Sequence, residues 1–425
     1  MSQSMKQQKS PLFYGWYIVA AAAVGVFFSG PGQTYAVSVF IDYYIREFGW
    51  SRSLVSGIYS SATLVAGLLL FLVGRMVDKQ GQRRMMLMMG TLLAVACFWN
   101  SFVLGPVMLF IGFFMLRLFG QGSMTLIPNT LVPQWFVVKR GRALSFMAIG
   151  GFLSSASFPP LNTWLIHSFG WENAWRILGS ALVLIFLPVV YFIVRNKPED
   201  IGLLPDNAVS KKKLAERKEE KMEEEQDEGF ETNWTVKEAM RTRAFWFILF
   251  CVSIPALVNT GLTFHLFSIL GEQGVPGSTA ALILSIMAIV GFPVTMLSGF
   301  ILERVNVHIV LGLSFIGQII FIVLLTQVDT YVLAIFFAVL WGIIGGIERI
   351  TLNIIWPNYF GREHLGSIKG IATTTMVIGS AFGPLPFGIA YDVFGGYTEI
   401  LLIILIFPIL GTIAAFMSPP PKKAA

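Results

Sequence analysis

Twelve stretches of the chain are almost wholly apolar, at about residues 16–41, 53–77, 85–104, 107–135, 143–166, 174–194, 244–270, 278–302, 307–327, 331–358, 367–391 and 397–417. About 20 helical residues cross ~30 Å of hydrocarbon, so each stretch is long enough to span a bilayer. The pattern predicts an all-α membrane protein with twelve transmembrane helices. The first stretch reads as a spanning helix and not a cleaved signal. It is too long for a signal core and runs on through Phe27, Gly30 and Tyr35 without a small-residue cleavage site.

One segment breaks the apolar pattern. Between 196 and 243 the chain carries 10 basic and 13 acidic residues, including KKKLAERKEEKMEEEQDEGF at 211–230. Nearly balanced charge of this density reads as a solvated linker. It divides the chain into an N-terminal half (1–195), the linker (196–243) and a C-terminal half (244–425). The halves match at a constant offset of 225: Gly74 overlies Gly299, Asp78 overlies Glu303, Gly141 overlies Gly366, and Pro159 overlies Pro384. Landmarks in one register indicate a six-plus-six repeat. Parallel repeats of this kind place a substrate site near the membrane midplane, reached from each side in turn.

Composition agrees with the pattern. Residues are 55% hydrophobic and 13% charged, against roughly 25% charged in soluble domains. With the N-terminus inside, 25 of the 30 Lys and Arg fall on inner loops, three (Arg46, Arg52, Arg176) fall on outer loops, and Arg117 and Arg349 lie within spans. Positive residues favour the cytoplasmic side, so both termini are expected there, in a multi-pass protein of the cell (inner or plasma) membrane. The formal charge of +6 is then a topology signal, not a nucleic-acid footprint. The two cysteines, Cys97 and Cys251, sit in separate spans and offer no disulfide framework. No phosphate loop and no clustered histidines occur, so no cofactor, metal or enzymatic chemistry is expected.

The stretch GRMVDKQGQRR at 74–84 resembles the loop between helices 2 and 3 of the Major Facilitator Superfamily, G-x-x-x-D-[RK]-x-G-x-[RK]-[RK]. GWYIVAAAAVG with FGWSRSLVS, WFVVKRGRAL and RNKPEDIGLLPD are similar to bacterial members near the monocarboxylate and oxalate/formate porters. The resemblance covers about residues 14–417. It implies that helices 1, 4, 7 and 10 line a cavity while 3, 6, 9 and 12 face lipid. It also implies a cytoplasmic gate at Asp78 with Arg83 and Arg84. In the second copy of this loop, Asn306 and His308 replace motif residues, and the role does not carry over to Glu303. The porters place a basic residue within helix 8, whereas residues 281–302 here carry no charge. The charges lie on helices 4 and 10 instead.

Charge within a bilayer costs at least ~2.5 kcal/mol per residue and is functional by default. Arg117 on helix 4 and Glu348 and Arg349 on helix 10 are therefore the leading site candidates. Arg117 and Arg349 suit an anionic substrate, because guanidinium forks match carboxylates. Arg349 shares a helix face with Gly342, Gly346 and Asn353, which reads as a polar strip with room for a ligand. Glu348 points about 100° away and is expected to carry a coupling proton or to hold an arginine in the empty site. The alternative is a permanent Glu348–Arg117 ion pair. SGPGQTYAVSVF at 29–40 places Pro31 between glycines, which breaks a helix and either aids packing or offers Gln33 and Tyr35 to a substrate. Gln121 and Asn259 complete the expected binding set. His265 is either a satisfied core residue or a second proton group.

The sequence thus predicts a monomeric secondary transporter (a symporter) moving a small organic anion, by its chemistry a carboxylate, with protons as coupling ion. The alternatives are a drug or metabolite exporter of the same fold and a transporter-like sensor.

Overall fold

The computed structural model describes residues 13–136, 139–203, 234–302, 304–361 and 365–421. We label the spanning helices α1 (Gly15–Phe48), α2 (Arg52–Gln80), α3 (Gln82–Asn100), α4 (Pro106–Trp135), α5 (Arg140–Phe169), α6 (Trp171–Ile193), α7 (Arg243–Glu272), α8 (Gly277–Leu302), α9 (Val307–Leu325), α10 (Tyr331–Phe360), α11 (the pieces Leu365–Phe382 and Pro384–Phe394) and α12 (Thr398–Phe416). "Inner" denotes the face that holds the start of α1 and the linker, following the charge bias.

Eleven of these helices are long and apolar enough to cross a membrane among the described residues. The exception is α3. Its 19 residues begin with Gln82, Arg83 and Arg84, and the apolar run continues past its outer end into Phe102–Leu104. It still packs against α4 and α6 like its neighbours.

Buried apolar side chains fall into two clusters. One is built from 18–194 together with Phe264, the other from 234–415. The halves meet along α2 against α11 and α5 against α8. On the second seam, Phe152 stacks on Phe292 with ring centroids 5.0 Å apart, and Ser285 Oγ donates to the Ala156 carbonyl at 2.5 Å.

α1 and α4 depart from α geometry where they meet, and α6 carries a further π-helical stretch at Leu182–Phe186. α1 is interrupted by a 3₁₀ turn, Gly30–Gly32, at the predicted Pro31 break. The break lets α1 approach α4 so closely that a Cβ on Gly32 would lie 2.2 Å from the Leu116 carbonyl oxygen. α4 is wound as a π-helix over Leu116–Ser123, and such stretches recur at functional sites.

Candidate substrate cavity and outer gate

The two halves are tied together at their outer ends. The Arg52 guanidinium bonds Asp42 at 2.7 Å, and Arg52 also reaches Ser268 on α7. Ser268 Oγ donates to Asp42 at 2.5 Å, closing the triangle across the halves. Asp392 on α11 accepts from the backbone N–H groups of Arg52 (3.2 Å) and Ser53 (2.8 Å). A carboxylate therefore caps the N-terminus of α2 from the opposite half, where the helix dipole favours it. Tyr391 lies under the Arg52 guanidinium at 4.3 Å. A pocket of about 410 Å³ opens on the outer face beside this cluster, lined in part by Asp42, Arg46, Arg52 and Glu272.

One layer deeper, His265 is fully buried. Its Nε2 lies 3.1 Å from Ser56 Oγ on α2 and 3.0 Å from the Pro384 carbonyl oxygen, and its Nδ1 lies 2.9 Å from Tyr397 Oη. A carbonyl only accepts, so Nε2 carries the proton and Nδ1 accepts from the tyrosine. His265 is thus a satisfied member of the outer closure. Below it, Tyr59 of α2 packs on Phe264 of α7 at 4.5 Å.

Arg117 lies behind Tyr59 and is 3% exposed. It donates to the Gly32 carbonyl and to Thr34 Oγ1, both at 3.2 Å, and its guanidinium sits 5.1 Å from the Tyr59 ring. Tyr59 Oη also donates to Thr34 at 2.8 Å. Arg117 therefore satisfies the backbone freed by the break in α1 and does not reach the cavity in this conformation. Gln33 bonds Ser29 one turn away, and Tyr35 donates to Ser154 at 2.8 Å. Gln121 is half-buried within the π-helical stretch.

Arg349 has a different setting. Val332 and Phe336 mark the lipid face of α10, while Gly342 and Gly346 mark its contact with α8. Arg349 and Asn353 follow on the α8 side, away from lipid, and both are exposed. Among the described residues no hydrogen bond or ion pair holds the Arg349 guanidinium. Asn353 donates to the Arg349 carbonyl at 2.8 Å, which leaves its own side-chain oxygen available. Asn129 is likewise exposed near the inner end of α4. The predicted polar strip is shorter than the sequence suggests. A Cβ on Gly342 would lie 2.8 Å from the Met287 carbonyl oxygen, and one on Gly346 2.8 Å from that of Gly291. Those glycines admit α8, not a ligand.

Glu348 points into the C-terminal half and is 2% exposed. The Asn259 side chain lies beside it, and Trp341 Nε1 donates to Asn259 Oδ1 at 3.0 Å. Arg117 is bonded elsewhere, so the two do not form the ion pair the sequence allowed.

At the inner end, Arg83 donates to the Tyr191 carbonyl at 2.7 Å and its backbone N–H to Asn196 at 2.8 Å, within its own half. Arg84 is exposed. The side chain of Asp78, the third gate residue, lies outside what is described, as does Glu303. The outer cluster of Asp42, Arg52, Ser268 and Asp392 escaped the sequence reading. Its one signal is three charged residues at outer helix ends, which reads equally as ordinary loop charge.

Comparisons with known proteins agree with this architecture. Monocarboxylate transporter 2 of Rattus norvegicus is 23% identical over 403 residues, covering 90% of this chain and 78% of that protein. The Homo sapiens form is 25% identical over 177 residues, covering 40% of this chain and 35% of that protein, so the match spans about a third of the human protein's length. The probable galactarate/D-glucarate transporter GudP of Bacillus subtilis is 31% identical over 170 residues, covering 36% of this chain and 33% of that protein. A bacterial homologue of the human lysosomal transporter Spinster, solved in an inward-facing and occupied conformation, superposes with a TM-score of 0.72 at 13% identity over 97% of both chains. A mutant of the nucleoside transporter NupG superposes with a TM-score of 0.69 at 15% identity over 94% of this chain and 98% of that one. Residues 22–384 match the family pattern itself. With twelve helices in the matching architecture, the chain belongs to the Major Facilitator Superfamily.

Proposed function

We propose that this protein is a secondary transporter of a small organic carboxylate, coupled to protons, with Arg349 as the anion-binding residue and Glu348 as the proton carrier. The observation that supports it most is the Arg349 guanidinium, exposed within the bundle and unpaired among the described residues. Unpaired charge at membrane depth is costly, and a carboxylate offers the bidentate partner that offsets it. The relatives matched in sequence are named for monocarboxylates and for galactarate/D-glucarate, all carboxylates.

In this reading the observed conformation is closed outside and admits substrate to Arg349 and Asn353 from the inner side. Asn129 and Gln121 line the facing helix. Separation of the outer cluster, with closure of the inner ends, exposes the site to the other side. Arg117 holds α1 and α4 together through both states. Neutralising Glu348 lets the acid cross the low-dielectric core with its proton, and its ionisation on the opposite side resets the cycle.

The test is thermal stability of the purified protein against L-lactate, D-glucarate and galactarate, because a ligand of the native state raises apparent stability by mass action. One acid should stabilise the wild type and not Arg349→Gln. Glu348→Gln should lose uptake driven by a proton gradient while retaining counterflow. Stabilisation that survives in Arg349→Gln would remove the anion assignment, and unchanged proton coupling in Glu348→Gln would remove the proton role.

A further inference from the structure

We infer that Gln318 on α9 is the second half of the Glu348 proton site, its amide exchanging hydrogen-bond roles with the carboxyl as the proton comes and goes. This rests on the proton-carrier reading of Glu348.

Gln318 is fully buried, and neither its Nε2 nor its Oε1 has a hydrogen-bond partner. Glu348 Oε1 is in the same condition. Buried polar atoms without partners are expensive, because each gave up water for nothing.

The packing register brings the two side chains to one level. Phe321 of α9 stacks on Trp341 of α10 at 5.7 Å, and a Cβ on Gly317 would lie 2.2 Å from Ile344 Cδ1. Gln318 follows Gly317, turned about 100° around α9. Phe315, one turn inward of Gln318, meets Gly411 of α12, which also contacts Ile254 of α7. Gln318 therefore points between α10 and α12 toward α7, near the level of Asn259. Glu348 lies one turn inward of Ile344 and beside Asn259. Helical side chains lean toward their own N-terminus. α9 begins at the inner face and α10 at the outer face, so Gln318 leans inward, Glu348 leans outward, and their tips converge.

An amide suits a group that changes charge. Its N–H donates to a carboxylate and its carbonyl oxygen accepts from a carboxylic acid, directly or across one water. Asn259 is less free to switch, because its Oδ1 already accepts from Trp341 Nε1, whereas both polar atoms of Gln318 are uncommitted. The proton on Glu348 comes from, and returns to, water on whichever side the cavity opens.

Other titratable groups stand at other levels. On α7, Cys251 lies eight residues inward of Asn259 and His265 six outward, about 9 Å or more away along the axis. His308 is at the inner start of α9, Glu399 at the outer start of α12, and Lys369, Tyr391 and Asp392 near the ends of α11. α8 carries none over Gly277–Leu302. On α10 itself Arg349 is exposed on the α8 side, and Tyr359 bonds Ser418 at the inner end.

Infrared titration of the purified protein tests this without a substrate. A protonated-carboxyl C=O band should titrate in the wild type and vanish in Glu348→Gln. In Gln318→Met, which keeps volume and removes the amide, its midpoint should rise by about one pH unit, because a hydrogen bond to the ionised form is stronger than one to the neutral acid. Gln318→Leu should do the same. A midpoint unmoved or lowered in both variants overturns the role of Gln318 and leaves Glu348 as carrier. No band that depends on Glu348 at any pH overturns the carrier reading and this inference together.

Discussion

α4 and α10 hold the same place in their halves, yet they treat charge in opposite ways. The offset of 225 sets Arg349 level with Met124, seven residues inward of Arg117, or about 10 Å along the axis. The position matching Arg117 in α10 is Gly342, which is closed by α8. In α4 the cation is buried and spent on a broken α1. In α10 it is exposed and unspent, with an acid buried behind it. A residue type alone does not reveal which kind it is. The difference lies in what the partner helix offers, free carbonyls at the Gly30–Gly32 break or open space past Gly346.

The largest effect expected from this contrast is on binding. Arg349→Gln should weaken apparent substrate affinity by roughly 10- to 100-fold, the worth of a charged hydrogen-bond pair. Arg349→Lys should recover part of it, in uptake by proteoliposomes. Arg117→Gln should show the reverse pattern. It removes two bonds from a buried network, so it should lower unfolding stability by about 2 kcal/mol while leaving affinity within about threefold. If Arg117→Gln abolishes affinity at unchanged stability, the two arginines are not divided as described.

The outer gate gives a smaller effect. Asp392→Ala removes the cap on α2, worth about 1 kcal/mol, and should shift the population toward an outward-open state by roughly fivefold. Labelling of a Gln33→Cys background by a membrane-impermeant thiol reagent from the outer face would report it, since Cys97 and Cys251 are both buried and silent. Equal labelling with and without Asp392 would mean the cap does not hold the gate. The smallest effect is expected at Gln33 itself. Its amide is engaged with Ser29, so Gln33→Ala should change affinity less than about twofold. A larger loss would bring α1 into the substrate site.

The spans, their order and the break at Pro31 were legible because they depend on short runs of sequence. Charge at depth was legible too, since Arg117, Glu348 and Arg349 interrupt apolar runs. The partners of those charges were not. Glu348 found Asn259 and not Arg117. His265 joined the outer closure, and Gln318 sits in an otherwise largely apolar helix with no sequence pattern to mark it. Gly342 and Gly346 read as room for a ligand and turned out to be room for α8.

By itself, then, the sequence determined that this chain crosses a membrane about twelve times, in two related halves, with three charges at depth. Hydrophobic transfer is additive along the chain and needs no knowledge of neighbours. Only the tertiary structure decided which charge meets water, which meets backbone and which half-to-half contacts close the outer side. Those outcomes depend on side chains distant in sequence, such as Asp392 against Arg52, meeting at distances of a few ångströms.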